Sequence, residues 1–391
     1  MPWDQIIGQR RIVDALKRTH EGGRIAHAYL FYGPSGCGKR AVAMAFAKAL
    51  QCEQPTPPCG VCPSCTKVAR MVHPDVQLMM PYPKGTDTHD VVARLQRLAE
   101  EPYSFVDYVQ VPNLSDPSKS SNKQVLYTVN RINEELRRSM SYRPVEGRYK
   151  IAILTQVEQL RIEAANAFLK LLEEPGARTI FVLTATRIDK LLPTIISRCQ
   201  KLRFEPLSSE DIRKALQVRH GVSADQAALL SRVSNGSFGR ALALRTSDEL
   251  LQIRTTVINF FRAAYLNNIL KISDLADEIS RAGREPLKQL LNAMMQWTRD
   301  LMLHRTMGEE APLLNIDQQV AIARFNQNVP NADLEAMIYV LKEAQHLAER
   351  NVHLGLLLRT LAQRLGHIMH GRSDAPLYLP LDQPRQTIQF V

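Results

Sequence analysis

The sequence predicts an α/β P-loop domain with a four-cysteine module, followed by a small helical domain and an all-α domain. Three observations predict this. A buried strand, a Gly-rich loop and a helix follow one another near the start, four cysteines lie within 14 residues, and the last third of the 391-residue chain is rich in amphipathic helical stretches. At about 150 residues per domain the length allows two or three domains. We place them at residues 1–205, 206–247 and 248–372, with a tail at 373–391.

A phosphate-binding loop follows the first predicted strand, residues 27–32, and precedes a helix predicted from Arg40 to Leu50. Its glycines and lysine have the G-x-x-x-x-G-K spacing: Gly33, Gly36, Gly38 and Lys39. Such glycines let backbone N–H groups point at phosphate oxygens, and Lys39 would reach the β- and γ-phosphates. Arg40 stands where a Ser or Thr hydroxyl would hold Mg²⁺, and a guanidinium has no lone pair for a cation. Two interpretations stay open: a loop kept for its shape, and a loop that binds ATP or ADP passively.

The second half of an ATPase site is also incomplete. Residues 150–154 are predicted to form a buried strand, which an active P-loop ATPase follows with Asp-Glu for the metal and the attacking water. This chain has Thr155 and Gln156 there, and Glu158 is expected to point elsewhere. We therefore predict that the chain does not hydrolyse ATP.

The clustered cysteines predict a structural zinc site. Their spacing is Cys52-x6-Cys59-x2-Cys62-x2-Cys65. Two-residue gaps allow thiolates to turn onto one ion, and four sulfurs complete a tetrahedral Zn²⁺ site with no open position. The alternative is a set of unliganded thiols. Cys37 and Cys199 stand alone and are predicted to be small buried or loop cysteines.

The remaining pattern supports the domain boundaries. Further buried strands are predicted near 76–80 and at 179–183, and Ser208 or Ser209 is expected to cap the first of three short helices that end near 247. Two apolar stripes at helical spacing follow: Leu287, Leu290, Leu291, Met294 and Trp297, then Leu334, Ile338, Leu341, Ala344 and Leu347. They indicate a helical bundle, in which most of these side chains are expected to be core.

The charge is unevenly distributed. The net charge is +11, and residues 1–205 hold 29 basic and 20 acidic side chains. This weakly favours a polyanionic partner. No run of 18 apolar residues and no basic, apolar leader is found, so we expect no membrane span, no secretory signal and a cytoplasmic location.

Several motifs together resemble bacterial clamp-loader AAA+ subunits. They are Trp3–Gln9, Arg24–Phe31, the P-loop, the cysteine module, His73–Val76, Glu146–Lys150, Asn166–Pro175 and Thr194–Cys199. The resemblance is strong for residues 1–245 and weaker from 250 to 370. Residues 84–123 have no counterpart, and we expect a surface insertion with a helix at 91–101.

The resemblance also implies roles. The family contains ATPase (gamma/tau) subunits and delta-prime subunits, and the incomplete motifs make this chain similar to the delta-prime type. Gly239 stands where the ATPase subunits carry a γ-phosphate-sensing arginine, and Arg240 comes one residue late. Arg198 would be an arginine finger acting on a neighbouring subunit's ATP, and Thr186 would occupy the sensor 1 position. The implied partners are the ATPase and delta subunits, the sliding clamp and primer–template DNA.

Two other functions are open alternatives. One is a catalytically active gamma/tau-type ATPase, which would turn over ATP alone. The other is a zinc-containing DNA-binding module, which would bind DNA alone in a salt-dependent manner.

Overall fold

A computed structural model describes residues 3–114, 123–245, 249–311, 313–315, 318–350 and 352–372. The described residues before position 246 form one compact unit, and those after 247 form a second. The predicted tail at 373–391, and the part of the predicted insertion at 115–122, lie outside the described residues.

A five-stranded parallel sheet forms the centre of the first unit. Its strands are β1 (Ala28–Tyr32), β2 (Val76–Met79), β5 (Lys150–Leu154), β6 (Thr179–Ala185) and β7 (Gln200–Arg203). The order across the sheet is β2-β5-β6-β1-β7. A separate antiparallel pair is formed by β3 (Tyr82–Pro83) and β4 (Val125–Leu126). Every residue of β5 and β6 is buried, and both strands are mostly apolar, as expected for strands covered on both faces.

Four of these five strands match the sequence prediction closely. The fifth, β7, was missed because it is an edge strand with charged, exposed residues and no apolar run.

Ten helices complete the described part of the first unit, together with a π-helix and three short 3₁₀ turns. The helices are α1 (Arg10–Glu21), α2 (Lys39–Gln51), α3 (Pro63–Ala69), α4 (Thr88–Glu100), α5 (Arg138–Ser141), α6 (Ile162–Glu173), α7 (Pro193–Ser197), α8 (Ser209–His220), α9 (Ala224–Val233) and α10 (Phe238–Arg245). The π-helix, Arg131–Arg137, runs directly into α5, and the 3₁₀ turns are Trp3–Gln5, Val157–Gln159 and Ile188–Lys190.

The ends of these helices follow from their capping residues. The predicted 91–101 helix begins earlier, at Thr88, because the Asp87 carboxylate accepts a hydrogen bond from the His89 backbone N–H at its first turn. Ser208 caps α8 by accepting from the Asp211 N–H at 3.0 Å, as predicted.

The described part of the second unit contains helices joined by short loops, and no strand. Its helices are α11 (Glu249–Tyr265), α12 (Ile269–Ala282), α13 (Arg284–Met307), α14 (Gln319–Asn328), α15 (Leu334–Ala348) and α16 (Leu354–Met369), with a 3₁₀ turn at Gly308–Glu310. The first predicted stripe is fully buried on α13, where Trp297 stacks on Phe261 at 5.1 Å. On α15 Ile338 is only half-buried, and Met337 and Val340 complete the stripe. Both stripes are core packing.

None of the described helices has both the length and the hydropathy needed to cross a bilayer.

Two motifs that are far apart in the sequence meet at the buried carboxylate of Asp75, beside the start of β2. Its oxygens accept hydrogen bonds from the backbone N–H groups of Val145, Glu146 and Gly147 at 2.8–2.9 Å. The Lys150 ammonium lies 3.0 Å from Asp75 Oδ1, and both side chains are almost fully buried. This carboxylate therefore ties the loop before β5 to the loop before β2.

The same contacts decide the charge of Asp75. Burial alone would raise the pKa of this carboxyl, but the three backbone donors and Lys150 together outweigh burial and lower its pKa to about 2. The charged form is therefore stabilised by folding above the ordinary pKa of 3.8.

We expect Asp75→Asn to destabilise the first unit by about 3–5 kcal/mol, because it leaves the buried Lys150 ammonium without its charged partner. In the wild type, the contribution of Asp75 should be complete above about pH 4 and be lost as the pH falls towards 2. Urea unfolding at several pH values measures both effects. The matched control Asp14→Asn, at an exposed position, should change the free energy of unfolding by less than about 0.5 kcal/mol. Equal effects of the two substitutions would contradict this account.

Candidate functional site

The predicted phosphate loop joins β1 to α2. Gly33, Gly36 and Gly38 have φ angles of 145°, 74° and 102°. This region of backbone conformation is open to glycine and unfavourable for other residues, which explains the glycines at these positions. Gly38 stands directly before the first residue of α2, Lys39. The strand, loop and helix predicted from the sequence are therefore all present.

Lys39 is turned back onto its own loop. Its ammonium donates hydrogen bonds to the carbonyl oxygens of Gly33 at 2.6 Å and Pro34 at 2.5 Å. The side chain is buried, and this burial lowers the pKa of Lys39. The lysine that would contact phosphate is thus engaged by backbone oxygens.

Arg40 contacts a segment within the predicted insertion at residues 84–123. Its guanidinium donates to the carbonyl oxygens of Pro102 (3.4 Å) and Ser104. It also forms an ion pair with Asp107 at 3.3 Å, in which both side chains are nearly buried. We call residues 102–110 the covering segment.

The covering segment lies directly on the glycines of the loop. A methyl group placed on Gly38 would be 3.0 Å from the Tyr103 ring, and one placed on Gly36 would be 3.2 Å from the Phe105 ring. The expectation that residues 84–123 form a surface insertion is therefore wrong for this part. The Tyr103 and Phe105 rings pack against the loop, and the Asp107 carboxylate pairs with Arg40 beside them.

Two hydrogen bonds hold the covering segment in place at its ends. The Tyr103 hydroxyl accepts from the Ile7 backbone N–H at 2.9 Å. The Gln110 side-chain amide donates to the Ser35 hydroxyl, within the P-loop, at 2.8 Å.

The same segment explains why residue 239 is a glycine. A methyl group on Gly239 would be 2.7 Å from the Tyr103 carbonyl oxygen and 2.8 Å from the Phe105 ring. No side chain fits there while the covering segment is in place. The neighbouring Arg240 uses its backbone N–H to donate to Ser237 Oγ at 3.3 Å.

The ends of β5 and β6 form the other wall of the cleft beside the loop. Thr155, Gln156, Thr184 and Thr186 line this wall. The Thr155 hydroxyl donates to the Met79 carbonyl oxygen at 3.3 Å. Among the described residues that line the cleft, the single carboxylate is Asp107, which is paired with Arg40.

Glu158 faces this wall, contrary to the expectation that it points elsewhere. Its Oε1 accepts a hydrogen bond from the Thr186 backbone N–H at 2.9 Å. Its negative charge also acts on Lys39 and favours the protonated form of that amine. Gln156, directly after the strand end, is in the left-handed region with φ 50°.

The four clustered cysteines converge in space. Their sulfur atoms lie within 4.8 Å of one another, so Cys52, Cys59, Cys62 and Cys65 could hold a metal ion. Backbone N–H groups point at the sulfurs: that of Cys62 lies 3.3 Å from Cys59 Sγ, and that of Cys65 lies 3.4 Å from Cys62 Sγ. The N–H groups of Val61 and Cys62 lower the pKa of the Cys59 thiol to about 6, which favours a thiolate ligand.

The other two cysteines are not part of this cluster. Cys37 and Cys199 are both buried, as predicted.

Arg198 lies at the carboxyl end of α7 and is partly exposed. Its guanidinium donates to the Thr194 carbonyl oxygen at 3.0 Å and pairs with Glu173 at 2.8 Å. The exposed fraction of the side chain is 36% for Arg198 and 48% for Glu173. The structure thus brings together two motifs noted in the sequence, the Glu-Glu-Pro end of α6 and Ser-Arg-Cys.

Several residues of the site had no signal in the sequence. They are Tyr103, Phe105 and Asp107. Glu173 lies within a motif noted in the sequence, but no role was predicted for it. The covering segment contains no motif, and the one available hint was Arg40 itself, because a guanidinium withdrawn from water needs acceptors from elsewhere in the chain.

Comparisons with known proteins agree with these features. The chain is 28% identical to DNA polymerase III subunit delta' of Bacillus subtilis, over 91% of this chain and 96% of that protein. It is 31% identical to DNA polymerase III subunit tau of Salmonella typhimurium, over 91% of this chain and 53% of that protein. The chain therefore spans nearly all of the delta' relative and about half of this tau relative.

A solved structure and a family model complete the comparison. The gamma subunit-related protein of Thermotoga maritima matches with a TM-score of 0.42 and 17% identity, covering 91% of this chain and 99% of that one. The family model described as DNA polymerase III, delta subunit, matches residues 8–208. With half of its length matched by that model, the chain belongs to the DNA polymerase III delta subunit family.

Proposed function

We propose that this chain is a non-hydrolysing, delta-prime-type subunit of the cytoplasmic DNA polymerase III clamp loader. In this role it helps to load the sliding clamp onto primed DNA and supplies an arginine finger to a neighbouring ATPase subunit. One observation carries the proposal. The cleft beside the chain's own phosphate loop lacks the catalytic groups of an ATPase and contains the Arg40–Asp107 ion pair, while Arg198 remains accessible on a separate helix end.

Three features support the absence of ATP hydrolysis. Arg40 replaces the hydroxyl that would hold Mg²⁺, and it is engaged by Asp107. Thr155 and Gln156 replace the metal-binding and water-orienting carboxylates. Glu158 comes near the site, but it does not directly follow the strand end, and its Oε1 is engaged by the Thr186 backbone N–H.

The geometry around Arg198 supports its assignment as the finger. An arginine finger is a fixed planar cation that stabilises charge on phosphoryl oxygens in the transition state. Thr194 and Glu173 hold the guanidinium of Arg198 from one side while leaving part of it accessible. We assign Glu173 as the residue that positions Arg198 until a neighbouring nucleotide offers a stronger anionic partner.

The proposed partners follow from this role. They are the gamma/tau ATPase subunits, the delta subunit, the sliding clamp and, through the assembled complex, primer–template DNA. The delta' and tau relatives support partners of this kind. The helices of the second unit would form the collar through which the subunits associate.

A gamma/tau-type ATPase is the second candidate, because the tau relative is 31% identical to this chain. The two functions differ in one measurable property. ATP turnover by the purified chain alone would favour the ATPase, and its absence would favour the delta-prime type.

We infer that the four clustered cysteines hold a structural Zn²⁺. Four convergent sulfurs match tetrahedral zinc, and they leave no position for a substrate. The ion would tie the end of α2 to the start of α3, since Cys52 directly follows the first helix and Cys62 directly precedes the second.

The finger assignment predicts that Arg198→Ala lowers DNA-stimulated ATP hydrolysis by the assembled complex. Arginine fingers contribute about 10³–10⁵ in rate, so the neighbouring site should become nearly inactive and the complex should lose that site's share of turnover. Arg198→Lys should not restore it, because an ammonium lacks the planar fork. The control is Arg203→Ala, which also removes an exposed arginine paired with a glutamate and should leave the rate unchanged. An unaltered rate of ATP hydrolysis for Arg198→Ala in a fully assembled complex would show that Arg198 is not the arginine finger.

The zinc assignment predicts about one equivalent of zinc per purified chain, measured by elemental analysis. Cys59→Ser should reduce the zinc content severely and lower the melting temperature, because metal binding contributes directly to the folding of such modules. Cys199→Ala, a buried cysteine outside the cluster, is the matched control and should keep the full zinc content. Full zinc in the Cys59 variant would show that the cluster does not bind the metal.

A further inference from the structure

The proposed function leaves open whether nucleotide binds to this chain, since a subunit that does not hydrolyse ATP can still bind it. The covering segment, residues 102–110, bears on that question. We propose that this segment is an intramolecular occupant of the phosphate loop, which excludes nucleotide from the chain's own site. Arg40 is the residue that locks it in place.

The first argument is steric. Phosphate binding at a P-loop depends on backbone N–H groups that face the ligand across the glycines. A methyl group on Gly36 would be 3.2 Å from the Phe105 ring and one on Gly38 would be 3.0 Å from the Tyr103 ring, so the segment leaves no free space on that side of the glycines. Tyr103, Phe105 and Asp107 also line the cleft beside the loop, which narrows the space that a ligand would enter.

The second argument concerns charge. An anionic ligand is attracted by the cations of a loop, and both cations here already have partners. Lys39 is bonded to two carbonyl oxygens of its own loop. Arg40 is paired with Asp107, with 13% and 10% of the two side chains exposed. A nucleotide would have to break this largely buried pair, which is costly because each charge would lose its partner.

The third argument is that the covering segment is a built structure rather than a chance contact. Arg94 of α4 is fully buried and donates to the carbonyl oxygens of Val106 at 2.6 Å and Val111 at 2.7 Å. It also pairs with Asp90 at 3.0 Å and lies 3.6 Å from the Tyr108 ring centre. One arginine therefore shapes the segment from α4, and a second arginine, Arg40, fastens it to the phosphate loop.

The fourth argument comes from the residue that faces the segment from α10. Gly239 leaves no room for a side chain against Tyr103 and Phe105. The position where a related ATPase has a phosphate-sensing arginine is therefore filled by the covering segment. The departures at positions 40 and 239 share this one physical cause.

An occupant held by non-covalent contacts acts as a competing ligand. The apparent affinity for nucleotide then equals the affinity of the open loop reduced by the fraction of molecules that are open. Weakening the contacts with the loop, while keeping those with Arg94, should raise that fraction and hence the affinity.

The test measures binding of a fluorescent mant-ATP to the full chain, with and without Mg²⁺. Three substitutions loosen the lock differently: Arg40→Ser removes the cation, Asp107→Asn removes its charged partner, and Gln110→Ala removes a neutral hydrogen bond. We expect each to bind mant-ATP at least about tenfold more tightly than the wild type, as an increase in the open fraction requires.

Controls separate this effect from simple charge changes. Arg97→Ser and Glu100→Gln change the net charge by the same amounts as Arg40→Ser and Asp107→Asn, but at exposed positions of α4. They should not change the binding of mant-ATP. Gln110→Ala changes no charge and removes one hydrogen bond, so it keeps the test valid if Arg40→Ser does not fold. Hydrogen exchange of the amides in the covering segment should be faster in the loosened variants than in the wild type.

Two results would overturn the proposal. One is wild-type binding of mant-ATP as tight as that of the loosened variants. The other is a folded variant with faster exchange in residues 102–110 that still gains no affinity. Neither result bears on Arg198, whose role is measured by the ATPase rate of the assembled complex.

Discussion

The hydrogen bonds and the ion pair of the largely buried Arg40 guanidinium are the interactions on which the arrangement of the site depends. A charged group that is largely withdrawn from water needs acceptors within the protein, and Arg40 finds them in Pro102, Ser104 and Asp107. These contacts bring the covering segment onto the phosphate loop. One residue of the P-loop motif thus offers no metal ligand and also anchors a distant piece of chain beside the loop.

The phosphate loop, whose cations have internal partners, and the accessible Arg198 divide the chemistry of the chain into two parts. The two cations of the phosphate loop have partners within the protein: Lys39 donates to the Gly33 carbonyl oxygen, and Arg40 pairs with Asp107. The cation at the end of α7 is held at a helix end by Glu173 and remains partly exposed. This division fits a subunit that acts on its neighbour's nucleotide.

Motifs that are separated in the sequence become direct contacts in the fold. Asp75 joins the loop before β2 to the loop before β5, using three backbone donors and Lys150. Arg198 and Glu173 join the ends of α7 and α6 in the same way. In both cases a carboxylate is the point of contact, because it can accept several hydrogen bonds and balance a cation at once.

The sequence by itself determined the elements with strong local signals. The P-loop, the apolar runs of β1, β5 and β6, the stripe of α13 and the cysteine spacing all depend on residues close together in the chain, so periodicity and spacing identify them. The edge strand β7, the partner of Arg198 and the covering segment were decided only by the tertiary structure. Each depends on contacts between distant residues, such as Arg40 with Asp107, and no local pattern records which buried group a distant side chain will satisfy.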